Sequence, residues 1–140
     1  MLMVRARMAR IPLSITLALI ALGALLAFLP ALSQASSARV NGSNAIKKNI
    51  RLYDGVWKHN VQPQRKRWAR KVADCESGRR PNALGYEGKY RGAFQFSLAT
   101  WRSAPRSPGG DPVAYSYRTQ AFVAVRLMRR DGKGHWPNCG

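Results

Sequence analysis

The chain has 140 residues and a formal net charge of +18, from 24 Lys or Arg against only six Asp or Glu. Such an imbalance points to polyanionic partners. With two cysteines and two histidines, and with neither His59 nor His135 at a ligand spacing from a cysteine, it speaks against a metal centre; no metal or cofactor is expected.

The N-terminus sets the compartment. Arg5, Arg7 and Arg10 form a basic start, and Leu13 to Leu29 is a run of 17 residues that is apolar apart from Ser14 and Thr16. Pro30 and the small-residue stretch "ALSQASSA" come next. This pattern predicts an export signal over residues 1–38, cleaved after Ala35 or after Ala38; the alternative is a retained membrane anchor through residues 11–30, at the lower limit of length for a bilayer span. Either way the arginines stay in the cytoplasm and the remainder lies outside. The expected location is therefore secreted and cell-wall associated, or N-terminally anchored. Outside a cell, the polyanions are wall polymers or lipid head groups. Nucleic-acid binding through "RKRWARK" has the charge but not the compartment.

Removal of residues 1–38 leaves about 102 residues of net charge +15, enough for one small domain and a tail. Residues 39–64 read as a linker with a short amphipathic helix, since Ile46, Ile50, Tyr53 and Trp57 recur at helical spacing before Pro63. The domain is expected over residues 65–140. Its first helix is "QRKRWARKVADCES", with Trp68, Val72 and Cys75 on one face and Gly78 as its stop. A Gly- and Tyr-rich loop follows to Gly92, with "YRGAFQF" extended, and then a short helix from Ser97 to Arg102 capped by Ser97. After the loop "APRSPGGDP", Asp111 and Pro112 predict the cap and first residue of a last helix, Pro112 to Arg130. Its apolar positions are Val113, Tyr117, Ala121, Ala124, Val125 and Met128, and Gly132 lies beyond its end. The fold class is α+β, helix-dominated, with a minor β region.

Two cysteines in an exported chain predict one disulfide, Cys75 to Cys139, closing a loop of about 65 residues. The chain-entropy model gives such a link roughly 4 kcal/mol. It would staple the C-terminal end of the first helix, beside Glu76, to the chain terminus. A carboxyl there, shielded by Trp, Tyr and Phe side chains, would have its charged form disfavoured and could keep its proton near neutral pH, as a general acid for glycosidic cleavage must. The plain alternative is a surface glutamate paired with Lys71, Arg79 or Arg80.

Three motifs in order, "WARKVADCESG", "YRGAFQFSLATW" and the terminal "GHWPNCG", resemble the transglycosylase-like domain of actinobacterial resuscitation-promoting factors, in the lysozyme-like superfamily. The resemblance covers about 75 residues, and both cysteines fall where that family places its disulfide. It implies cleavage of the β-1,4 bond between N-acetylmuramic acid and N-acetylglucosamine in peptidoglycan. By position, Glu76 matches the single catalytic acid/base, Gln95 the cleft glutamine, and Tyr90 and Trp101 aromatic positions of the motifs. Gln can both donate to and accept from an acetamido group, and aromatic faces suit sugars. For Trp101 and Phe96 a place in the core is the stronger reading, whereas for Tyr90 the two are even.

Hydrolysis of the common kind needs a second carboxylate about 5 to 10 Å from the acid. Asp74 faces away from Glu76 on its helix and Asp111 reads as a cap, which leaves Glu87 as the candidate for a muramidase. A single carboxylate favours substrate-assisted attack and a 1,6-anhydro product, the lytic transglycosylase reaction. Against the family pattern, "GRRPNALGYEGKYRG" brings Arg79, Arg80, Lys89 and Arg91 to the loop and puts Glu87 where glycine is common. The last helix, "SYRTQAF", lacks the acidic residues often found before the glutamine. A non-catalytic cationic binder of walls or membranes on the same frame is the other class of function to weigh.

Overall fold

The computed structural model describes residues 29–140, with side chains from residue 42 onward. The basic start and nearly all of the apolar run expected as an export signal fall in residues 1–28, outside the described residues. Among the described residues no helix is long and apolar enough to cross a membrane. Helix α1 spans Leu29–Asn60 and α2 spans Pro63–Ser77; strands β1, Leu84–Gly85, and β2, Tyr90–Arg91, follow, then α3, Leu98–Ser103, a 3-10 turn, Pro112–Ala114, and α4, Tyr117–Asp131. The chain divides into residues Met1–Gly42 and Ser43–Gly140.

That unit begins well before residue 65. From α1, Trp57 and Val61 are buried, and Ile46, Ile50 and Tyr53 pack against the same core. Two polar ties fix this stretch: the Tyr53 hydroxyl donates to the Arg106 carbonyl at 2.6 Å, and the Ser116 hydroxyl donates to Asp54 Oδ1 at 2.5 Å. Residues 43–60 are thus part of the folded domain, where the sequence suggested a linker with a short helix.

Helix α2 starts with Pro63 in its first turn, where a missing N–H costs nothing, and stops at Gly78, whose φ of 64° few other residues adopt easily. The Gly78 N–H donates to the Asp74 carbonyl and the Arg79 N–H to the Ala73 carbonyl, both at 2.9 Å, which satisfies the last turn. The buried stripe of α2 is Ala69, Val72 and Ala73, rather than Trp68, Val72 and Cys75. Trp68 is half-buried at the edge of the stripe and Cys75 is exposed. Small residues decide this: α2 packs on α4, where Ala121 and Ala124 are also fully buried, and helices lined with alanine approach closely. An aromatic layer closes the core, with Phe96 edge-on to Trp101 at 5.3 Å and Trp68 edge-on to Trp136 at 5.4 Å.

The last helix begins later than the sequence suggested. Asp111 does cap, accepting from the Val113 N–H at 3.1 Å, and Pro112 does sit at the first position, but only of the 3-10 turn. Tyr115 and Ser116 are both extended, which interrupts the helix, and Ser116 caps α4 by accepting from the Thr119 N–H at 3.1 Å. Ser97 caps α3 as expected, accepting from Thr100 N–H at 3.0 Å. The β region is a two-stranded antiparallel hairpin with Leu84 opposite Arg91 and Gly85 opposite Tyr90, extended by a bridge between Arg91 and Phe96. Cys75 and Cys139 form the disulfide, with Cα atoms 5.8 Å apart.

Candidate active site

Glu76 is the penultimate residue of α2 and is half-buried. Burial raises the pKa of its carboxyl, and no cation offsets that effect. Two of the nearby cations are engaged elsewhere: Arg79 Nε pairs with Asp74 Oδ1 at 2.6 Å, and Arg80 Nε donates to the Ser77 carbonyl at 2.9 Å. No ion pair or side-chain hydrogen bond involves Glu76 among the described residues. The surface ion pair weighed for it is therefore not formed. In a chain with four times as many basic as acidic residues, a carboxyl without a cation is a position that favours the protonated form and leaves the proton free to be given away.

Two buried polar side chains, Ser77 and Gln120, meet at the backbone of Ala93, and neither was singled out for a role from the sequence. Ser77 is buried; its hydroxyl donates to the Ala93 carbonyl at 2.9 Å and accepts from the Arg80 N–H at 3.2 Å, so it ties the end of α2 to the strand-side loop. Gln120 of α4 is fully buried. Its Oε1 accepts from the Ala93 N–H at 2.7 Å, and its Nε2 donates to the carbonyls of Pro81 and Pro112 at 2.8 Å and of Tyr115 at 3.0 Å. One amide thereby pins three separate loop segments. The signal available in the sequence was a glutamine interrupting an apolar helix face, which in a buried position must be fully bonded.

Tyr90 and Gln95, expected in the substrate cleft, do come together, lining a cleft of about 310 Å³ with Lys89, Ser97, Thr100 and His135. Gln95 has a φ of 49°, and its Nε2 donates to the Gly92 carbonyl at 2.9 Å. Its Oε1 lies 2.1 Å from where a side-chain carbon on Gly85 would stand, so the amide approaches β1 this closely only because that residue is glycine. Tyr90 is 39% exposed, and Lys89 Nζ lies 5.5 Å from the ring centres of both Tyr90 and Tyr86. Glu76 and Glu87 do not line this cleft. Glu87 is exposed at the hairpin tip with a φ of 55°.

Trp101, expected among the substrate-binding residues, is 0% exposed and its indole N–H donates to the Gly109 carbonyl at 2.9 Å, so it belongs to the core and does not line the cleft. Among the described residues no three His, Cys, Asp or Glu side chains converge on a metal position.

Two helices packed on each other, a short hairpin, a disulfide and a half-buried glutamate at a helix end together define a helix-dominated α+β domain of the lysozyme-like kind. Residues 62–139, more than half of the chain, match the family model described as "Transglycosylase-like domain", and the chain belongs to that family. Over 69 residues it is 44% identical to resuscitation-promoting factor RpfC of Mycobacterium tuberculosis, strain Erdman, a match spanning 49% of this chain and 47% of that protein. Over 68 residues it is 41% identical to resuscitation-promoting factor RpfD of strain H37Rv, spanning 49% of this chain and 42% of that one. The match thus spans less than half the length of these curated relatives. No solved structure matches the chain.

Proposed function

We propose that this protein cleaves the β-1,4 bond between N-acetylmuramic acid and N-acetylglucosamine in peptidoglycan, as a lytic transglycosylase with Glu76 as its single acid/base. The reading rests on Glu76: a half-buried carboxyl with a raised pKa and no cationic partner in a strongly basic chain. The carboxyl proton passes to the glycosidic oxygen as the C1–O bond breaks, and the sugar is left with oxocarbenium character. The 6-hydroxyl of the same sugar then attacks C1, giving up its proton to the Glu76 carboxylate and forming the 1,6-anhydro ring. No second carboxylate and no water are consumed. Tyr90 and Gln95 supply the aromatic face and the amide for neighbouring sugars. Membership of the transglycosylase-like family and the likeness to two resuscitation-promoting factors support the same reaction class.

On this reading the chain acts outside the cell on the wall, where its positive charge concentrates it on anionic polymers. The test is digestion of purified peptidoglycan by the protein and by Glu76→Gln, with mass spectrometry of the released fragments. Anhydro ends made by the parent and absent with the variant are expected. Reducing ends would replace the mechanism by hydrolysis and bring Glu87 forward as base. Binding without release by either protein would make the chain a cationic wall binder.

A further inference from the structure

A second cavity, of about 540 Å³, lies away from the cleft, between the C-terminal part of α1, the start of α2, the loop at Arg106 and α4. Its chemistry is divided. Leu52, Val56, Val61, Phe122 and Val125 give it an apolar wall, and four arginines, Arg65, Arg106, Arg126 and Arg129, complete the lining. Leu52 is 61% exposed, a large apolar side chain left uncovered at the rim.

The positive charge has no internal answer. All six carboxylates of the chain lie at or beyond Asp54. Among the described residues Asp54 accepts from Ser116, and Asp74, Asp111 and Asp131 pair with Arg79, Arg91 and Arg130, while Glu76 and Glu87 pair with none; none meets the four cavity arginines. The Nε of Arg126 is buried and has no hydrogen-bond partner. A buried charged donor left unpaired is costly, and an anion entering the cavity would relieve that cost.

We propose that this cavity binds a phosphate-bearing lipid, its head group on the arginines and its acyl chain along the apolar wall. The lining selects among anions. Among the described residues its polar side chains besides the arginines are Asn60 and Tyr53, and the Tyr53 hydroxyl is already spent on the Arg106 carbonyl. A sugar polymer or a peptide backbone would find few partners for its many donors and acceptors, whereas an acyl chain needs none. Guanidinium matches the oxygens of phosphate in fork geometry, and the cavity volume is that of a small-molecule site. A second copy of this chain, itself strongly cationic, is repelled. The site is independent of the cleavage reaction proposed above.

The experiment titrates the full chain with dihexanoyl phosphatidic acid below its micelle concentration, following the methyl resonances of Val56 and Val125. Inorganic phosphate and dihexanoyl phosphatidylcholine serve as the comparison ligands. Saturable shifts with phosphatidic acid, at least about tenfold weaker with either comparison ligand, are expected. Arg126→Gln with Arg129→Gln should weaken binding about tenfold, and an equal charge loss at the exposed Arg67 and Arg70 should not. Leu52→Asp, at an exposed rim position, should weaken it too, and serves should the double variant not fold. Peptidoglycan cleavage should be unchanged in all of these. Absence of shifts at Val56 and Val125, equal affinity for inorganic phosphate, or equal loss in both double variants would overturn the site.

Discussion

Gln120 and Gly92 share one space: the Oε1 that accepts the Ala93 N–H at 2.7 Å lies 2.3 Å from where a side-chain carbon on Gly92 would stand. Gly92 also has a φ of 80°, which strains any other residue. Gln120→Ala leaves the Ala93 N–H and three carbonyl groups without their partner, and should cost about 3 kcal/mol or more in urea unfolding. Gly92→Ala should cost about 2 kcal/mol. Because the shortened side chain removes part of the clash, the double variant should cost less than the sum by about 1 kcal/mol. Strict additivity would mean that the two residues do not compete for that space.

The Glu76 carboxyl has its pKa raised by burial, and this fixes the sign of its effect on stability. Below the unfolded-state pKa the group is protonated in both states and costs nothing; as pH rises through the folded-state value, stability is lost. Glu76→Gln should therefore melt at or above the parent temperature at pH 7, and at the same temperature as the parent near pH 3. Cleavage by the parent should fall as pH rises through the folded-state value, since the acid must be protonated to act. A variant that melts markedly lower at pH 7 would show that the carboxylate is stabilised by something other than what surrounds it here.

Reduction of the disulfide should be readily achieved, because Cys75 is exposed although Cys139 is buried. Opening a loop with a sequence separation of 64 removes about 4 kcal/mol in the chain-entropy model, equivalent to roughly 15 °C or more for a domain this small. Melting with and without reductant, followed by circular dichroism, measures it. An unchanged melting temperature would show that the staple adds nothing.

Tyr90 and Trp101, both aromatic and both from the second motif, should separate cleanly. Tyr90→Ala, at a partly exposed position, should weaken binding of soluble peptidoglycan fragments by about tenfold with the melting temperature unchanged. Trp101→Ala, at a fully buried one, should cost about 3–5 kcal/mol of stability. Calorimetric binding and thermal unfolding on the same two variants decide it.

The features legible in the sequence were the ones encoded locally. Pro63, Gly78, Ser97 and Gly132 mark helix ends by backbone chemistry that depends on no distant residue, and the structure uses all four in that way. Glu76 stood out because acidic residues are scarce and because of the motif it sits in. The start of α4 was misplaced because Asp111–Pro112 and Ser116 are both sound caps, and only the extended Tyr115 between them tells which one opens the long helix. Ser77 and Gln120 stand inside the quoted motifs, but their roles were not legible there because they are defined by backbone groups 16 and 27 residues away. The hairpin's register was out of reach for a related reason: strands of two residues have too few side chains to carry an alternation.

The burial of Trp57 and Val61 separates two boundaries that are easily taken for one. The family match opens at residue 62, yet the folded unit opens at Ser43. What is inherited as a recognisable unit is thus smaller than what folds as one. A piece cut at the inherited edge would keep its cleft and disulfide but bare the flank where Trp57 lay, and would tend to associate through it.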